Sequence, residues 1–187
     1  VLGTILVAVG AWLLVVYTGA YEVAATDAHG DAVRWTLDTT MHRSVARRAD
    51  ALELPEPLPP ALLVEGASHY ASSCAHCHGT PGSEAASWAQ GMRPEPPHLA
   101  HAATDWTAAE IHWIIDNGIK MSGMPAFGGD HDEDALLALT AFVTALPGLT
   151  AEDYAALTDD ARGRAADHDL GSAHHHGGSA HDGRSAQ

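Results

Sequence analysis

The chain has 187 residues, 46% of them apolar, and carries a formal charge of −15 from 24 acids against 9 bases. That surplus of carboxylates argues against nucleic acid as a partner, which needs a basic face. The length suits one modest domain with appendages, and the apolar residues are unevenly spread: the first twenty are almost all apolar, the last twenty almost all Gly, Ala, Ser, His and Asp.

Val1 to Tyr17 contains no charge, and the first carboxylate is Glu22. With Thr18 to Tyr21 added, residues 1–21 approach the roughly twenty that cross a bilayer core, and Tyr17 and Tyr21 fall where aromatic rings suit an interface. The expectation is a single transmembrane anchor. The alternative is a signal-peptide core, with Gly19-Ala20 or Ala24-Ala25 as weak cleavage sites.

Residues 22–60 are expected to hold an amphipathic juxtamembrane helix and a proline-rich linker. Over 31–51, Val33, Leu37, Met41 and Val45 recur every four residues, and four of the nine basic residues, Arg34, Arg43, Arg47 and Arg48, lie in the same stretch. Such a helix can rest on lipid headgroups, on a neighbouring subunit or on the chain's own next domain, and the sequence weighs the three alike. Leu54 to Pro60 has four prolines in seven residues, which predicts a stiff spacer and a domain boundary.

The next unit spans 61–149. Ala61 to Cys74 reads as a helix, with Gly66 and Tyr70 four apart on one face. It leads into Cys74-Ala75-His76-Cys77-His78-Gly79. Two thiols three apart followed at once by histidine form the C-x-x-C-H haem-attachment pattern. One helical turn brings Cys74, Cys77 and His78 to one side, so both sulfurs can bond the vinyl groups of one haem with His78 beneath the iron. A zinc site would need more ligands, and a thioredoxin-type pair would not need the histidine. With both cysteines so used, none remains for a disulfide.

The residues between Gly79 and His98 are rich in Gly, Pro and Ser and read as loop. Thr107 to Asn117 reads as a helix, with Thr107 and Glu110 as a capping box and Gly118 just past its end. Residues 117–128 hold two methionines, Met121 and Met124, in a tight loop. A thioether there would suit the sixth position of a haem iron and raise its potential. Asp134 to Leu146 is an apolar helix stopped by Pro147-Gly148. No stretch alternates long enough for a strand, so the domain is expected to be all-α. Residues 150–187 are expected to give a short helix and then, from Asp167, a disordered histidine-rich tail. Its His168, His174, His175, His176 and His181 lend it weak metal-binding capacity.

Taken together, Cys74-Ala75-His76-Cys77-His78-Gly79 and Gly118-Ile119-Lys120-Met121-Ser122-Gly123-Met124-Pro125-Ala126-Phe127 resemble a class I c-type cytochrome. The likeness is to membrane-anchored, single-haem bacterial members and to cytochrome domains attached to oxidases and dehydrogenases. The resemblance implies a cytochrome c fold of short helices around one covalent haem c, with Met124 of Gly-Met-Pro as axial ligand opposite His78. It also implies that the Pro97 carbonyl of Pro97-His98-Leu99 orients His78 through its Nδ1–H, and that Gly66, Tyr70 and Phe142 mark a helix crossing. The family's lysine-rich docking face is absent: residues 61–149 hold ten carboxylates against Arg93 and Lys120 alone. His69 and His112 read as surface or packing residues, and Trp88, Trp106 and Trp113 as candidates to line the haem pocket or cover its propionates.

The function implied is single-electron transfer, not catalysis, on the periplasmic side of a bacterial inner membrane. Redox proteins of respiratory complexes would be the partners, and no small-molecule substrate would bind at the iron. Two alternatives stand beside it. One is a fixed electron-entry subunit of a larger respiratory complex. The other is a haem sensor or peroxidase whose sixth ligand dissociates.

Overall fold

The computed structural model describes residues 1–175. Among these there is no strand, only an isolated backbone pairing of Thr80 with Ser83, and the expected all-α architecture is present. Helix α1 covers Leu2–Thr18 and α2 Asp31–Ala49. The remaining helices are α3 Leu63–Ser73, α4 Ala75–His78, α5 Ser87–Gln90, α6 Leu99–Ala102, α7 Ala108–Asn117, α8 Glu133–Ala145 and α9 Ala151–His175.

The core forms where α3 crosses α8. Gly66 makes the approach possible: a Cβ there would overlap the Ala138 carbonyl and lie 2.6 Å from the Phe142 Cβ. One turn on, Tyr70 is fully buried with its ring 5.1 Å from that of Phe142. Burying each such side chain stabilises the fold by roughly 1.5–3 kcal/mol. Leu139 and Leu146 fill the same layer, and Ile111 and Ile115 close it from α7. Helix α7 starts with the expected capping box, Thr107 accepting from the Glu110 N–H and Glu110 from the Thr107 N–H.

Three boundaries differ from the sequence reading. First, no helix among the described residues is long and apolar enough to cross a membrane. Helix α1 has 17 residues, about 25 Å at 1.5 Å per residue. It stops at Gly19 in a left-handed conformation, so residues 19–21 do not complete the expected run. None of its side chains is buried.

Second, packing on the domain reaches back past the prolines. Helix α2 packs on α7, burying Val45 and Ala49, and Arg48 lies 5.9 Å over the Trp113 ring, within cation–π range. Of the three settings open to this helix, it takes its own domain, and only with its C-terminal half, since Val33, Trp35 and Leu37 stay exposed. The proline segment does not stand off as a spacer, because Pro55, Pro57 and Leu58 face Ala141 and Ala145 of α8 across a groove.

Third, the short helix expected after Thr150 runs on as α9 to His175, through the start of the stretch expected to be disordered; the rest of that tail lies outside the described residues. Tyr154 packs its ring 6.4 Å from Tyr70 and 6.1 Å from Phe142, so packing on this core continues past residue 149.

Because the atoms facing Gly66 include backbone, they cannot swing aside. Gly66→Ala should therefore cost about 3 kcal/mol, read as a lower midpoint in guanidinium unfolding with unchanged slope. At the start of α9, the Thr150 hydroxyl and N–H both donate to Asp153, 2.7 and 2.9 Å away, and hold its carboxyl below its ordinary value. The stability this gives is present above the ordinary carboxylate value of about 3.9 and is lost as pH falls through the lower, folded value. NMR titration should find Asp153 restored to the ordinary range in Thr150→Ala.

Candidate functional site

The attachment turn is built where α3 ends. Cys74 leaves the helix with φ −114°, and its carbonyl accepts from the Cys77 and His78 N–H groups at 3.1 and 3.0 Å. Gly79 then turns the chain with φ +69°, and a Cβ on it would sit 2.7 Å from the His98 Nε2 and 2.8 Å from the Ser83 carbonyl. Both the conformation and the space require glycine. The Gly79 carbonyl accepts a 2.7 Å hydrogen bond from the buried Tyr70 hydroxyl. The turn is thus clamped to the same side chain that organises the core.

Cys74, Cys77 and His78 line one wall of a cavity of about 430 Å³, within the roughly 300–1,000 Å³ common for cofactor sites. Ile111, Ile114 and Ile115 of α7 and Val143 of α8 give it apolar walls. Pro97 and Met124 lie on it as well, so all five residues singled out from the sequence come together.

His78 donates from Nδ1 to the Pro97 carbonyl at 2.8 Å. A carbonyl can only accept, so Nδ1 carries the proton and Nε2 keeps its lone pair. Burial pushes the imidazole below its ordinary pKa, against the opposing pull of the Pro97 carbonyl, which favours the neutral form that can bind a metal. Burial, with the Cys77 thiol beside it, pushes Cys74 up to about 12, so at neutral pH it is a thiol.

Beyond α7 the chain folds back as a tight loop. The Ile119 N–H donates to the Met124 carbonyl at 3.3 Å, and the Ser122 hydroxyl ties the middle, donating to the Ile119 carbonyl at 2.7 Å and accepting from the Met124 N–H at 3.2 Å. Met121, with φ +64°, is 79% exposed, while Met124 is on the cavity wall. The Phe127 N–H reaches the Ile115 carbonyl at 3.1 Å and pins the loop's exit to α7.

Other candidates separate. His112 is buried with Nδ1 3.0 Å from the Thr140 hydroxyl, a packing residue between α7 and α8. His69 stands beside His131, with ring centroids 5.3 Å apart, away from the cavity lining. Among the described residues no cluster of three metal-binding side chains occurs. Of the three tryptophans left unranked, Trp106 lines the cavity, Trp88 is 61% exposed, and Trp113 lies under Arg48.

Sequence reasoning missed Met92, whose terminal methyl covers Gly123 next to Met124, and Asp38, Met41 and His42 of α2, which also reach the cavity. Met41 belonged to the apolar stripe of α2, a signal for burial but not for burial here. Met92 sits in an aperiodic loop and left no signal.

Two thiols, a neutral imidazole with its metal-binding nitrogen free, a thioether and an apolar chamber make a donor set that suits a covalently held haem. Residues 61–143 match the family model described as Cytochrome C oxidase, cbb3-type, subunit III. No curated protein and no solved structure matches the chain. Residues 61–143 therefore form a class I c-type cytochrome domain, of the kind that carries haem c covalently and serves electron transfer.

Proposed function

We propose that this chain is a single-electron carrier, not an enzyme, in which Cys74 and Cys77 form the thioethers and His78 and Met124 are the two axial ligands. When bound, haem supplies a one-electron ferric/ferrous couple. The protein's residues do the rest. Pro97 keeps His78 in one tautomer and one orientation, which raises its basicity as a ligand. Met124 offers a sulfur that favours the ferrous state and raises the potential. The isoleucines of α7 keep water from the iron's surroundings. The observation that carries this reading is the 2.8 Å contact of His78 Nδ1 with the Pro97 carbonyl, on a cavity that also receives Met124 and not the exposed Met121.

We further read the setting as membrane-attached, with the haem domain on the periplasmic side of a bacterial inner membrane. Support comes from the uncharged apolar residues of α1, none of which is buried in the fold. It also comes from covalent haem attachment, which implies that the domain is translocated. The matched family is an oxidase subunit, which favours a second reading: a fixed electron-entry subunit of a respiratory complex. Purification in mild detergent separates the two, because a lone 19.5 kDa species argues for the free carrier and stoichiometric companions for the subunit.

The ligand assignment has its own test. The ferric protein should show the weak near-infrared band of Met-to-iron ligation. It should vanish in Met124→Ala and survive in Met121→Ala. Loss in Met121→Ala instead would overturn the assignment. Rapid carbon monoxide binding by the untouched ferrous protein would replace the carrier with a sensor.

A further inference from the structure

A haem in this cavity brings two propionates, and carboxylates are costly against a wall that gives them neither a donor nor a counter-charge. Among the described residues, no lysine or arginine lines the cavity. Outside the attachment segment, its polar side chains among the described residues are Asp38, His42, Ser73, Glu95, Asp105, Trp106 and Ser122. Three of these are carboxylates and would repel a propionate. The Ser122 hydroxyl is committed at both ends within the methionine loop, and the Ser73 hydroxyl, 3.4 Å from that of Ser72, carries no charge. Two N–H-bearing rings remain, and only the His42 imidazole can also carry positive charge.

These two rings are stacked, with centroids 4.4 Å apart and planes within 3°. The Trp106 indole N–H makes no hydrogen bond to protein among the described residues, and His42 Nε2 faces Asp38 Oδ1 at 3.6 Å, an ion pair when the imidazole is protonated but too long for a hydrogen bond. Val45, one turn along the same helix, is buried, and so fixes the backbone that presents His42.

We propose that His42, laid flat on Trp106, binds a haem propionate, which makes α2 part of the haem site although it lies outside the matched segment 61–143. This rests on the haem reading above. Glu95 and Asp105 disfavour a propionate elsewhere on the wall, while Asp38, one turn before His42 on the same helix, shares the imidazole with it. Trp106 acts as the platform that holds the imidazole plane.

The test uses the holoprotein with its haem attached. His42→Phe keeps a flat ring for stacking but has no donor. It should shift the propionate-bending band in resonance Raman and lower the reduction potential, with haem content by pyridine haemochrome and the near-infrared band unchanged. His42→Gln keeps a donor without the charge. It should lower the potential while leaving the band near its wild-type position, and it decides the matter if the Phe variant does not mature. Unchanged potential in either haem-loaded variant, or an unmoved band in the Phe variant, would overturn the proposal. A wild-type chain lacking covalent haem would instead overturn the cofactor reading on which it rests.

Discussion

Everything at the site depends on the close approach of α3 to α8 at Gly66. A side chain there would push the helices apart by about the width of a methyl group, and Tyr70 would lose its seat against Phe142. Tyr70 is also the residue whose hydroxyl holds the Gly79 carbonyl. A packing contact in the core is thereby converted, within one side chain, into the position of the cysteine turn. Because interiors pack densely and yield little, the turn inherits the rigidity of the helix crossing and does not depend on its own short helix α4.

The second half of the site is fixed by different means. Pro97 and Met124 come from loops, and loops acquire order only through specific backbone partners. The Met124 loop has them in Ile119, Ser122 and Ile115. A site assembled this way holds His78 from a rigid base and brings a separately braced Met124 to the same cavity.

These two parts differ in how far the sequence revealed them. The thiols and His78 were legible because their spacing is the chemistry: three positions on a helical turn is what two vinyl groups on one ring require. The capping box of α7 and the Gly66–Tyr70 face were legible because helix periodicity and end chemistry are local. The placement of α2 was not, since a basic amphipathic helix has one pattern whether its apolar face meets lipid, another chain or its own domain. Only contacts between residues some sixty positions apart, such as His42 with Trp106, decide it. The contribution of Tyr154 was hidden for the same reason. The proline run misled in a simpler way: prolines stiffen a chain, but a stiff segment can lie along a helix as readily as project from it.

With α2 docked and the prolines laid along α8, the only free length between α1 and the haem domain is Gly19 to Gly30. Fully extended, that segment reaches at most about 40 Å, and the 2.6 Å bond from the Tyr21 hydroxyl to His29 folds it shorter. The haem domain is therefore on a short leash. Whatever holds α1 also sets the volume the domain can sweep, and an acceptor inside that volume meets it at an effective concentration in the millimolar range. With α1 anchored as proposed, an acidic domain without a lysine-rich docking face could exchange electrons through weak, brief contacts, because the tether would supply the proximity that a strong interface otherwise provides.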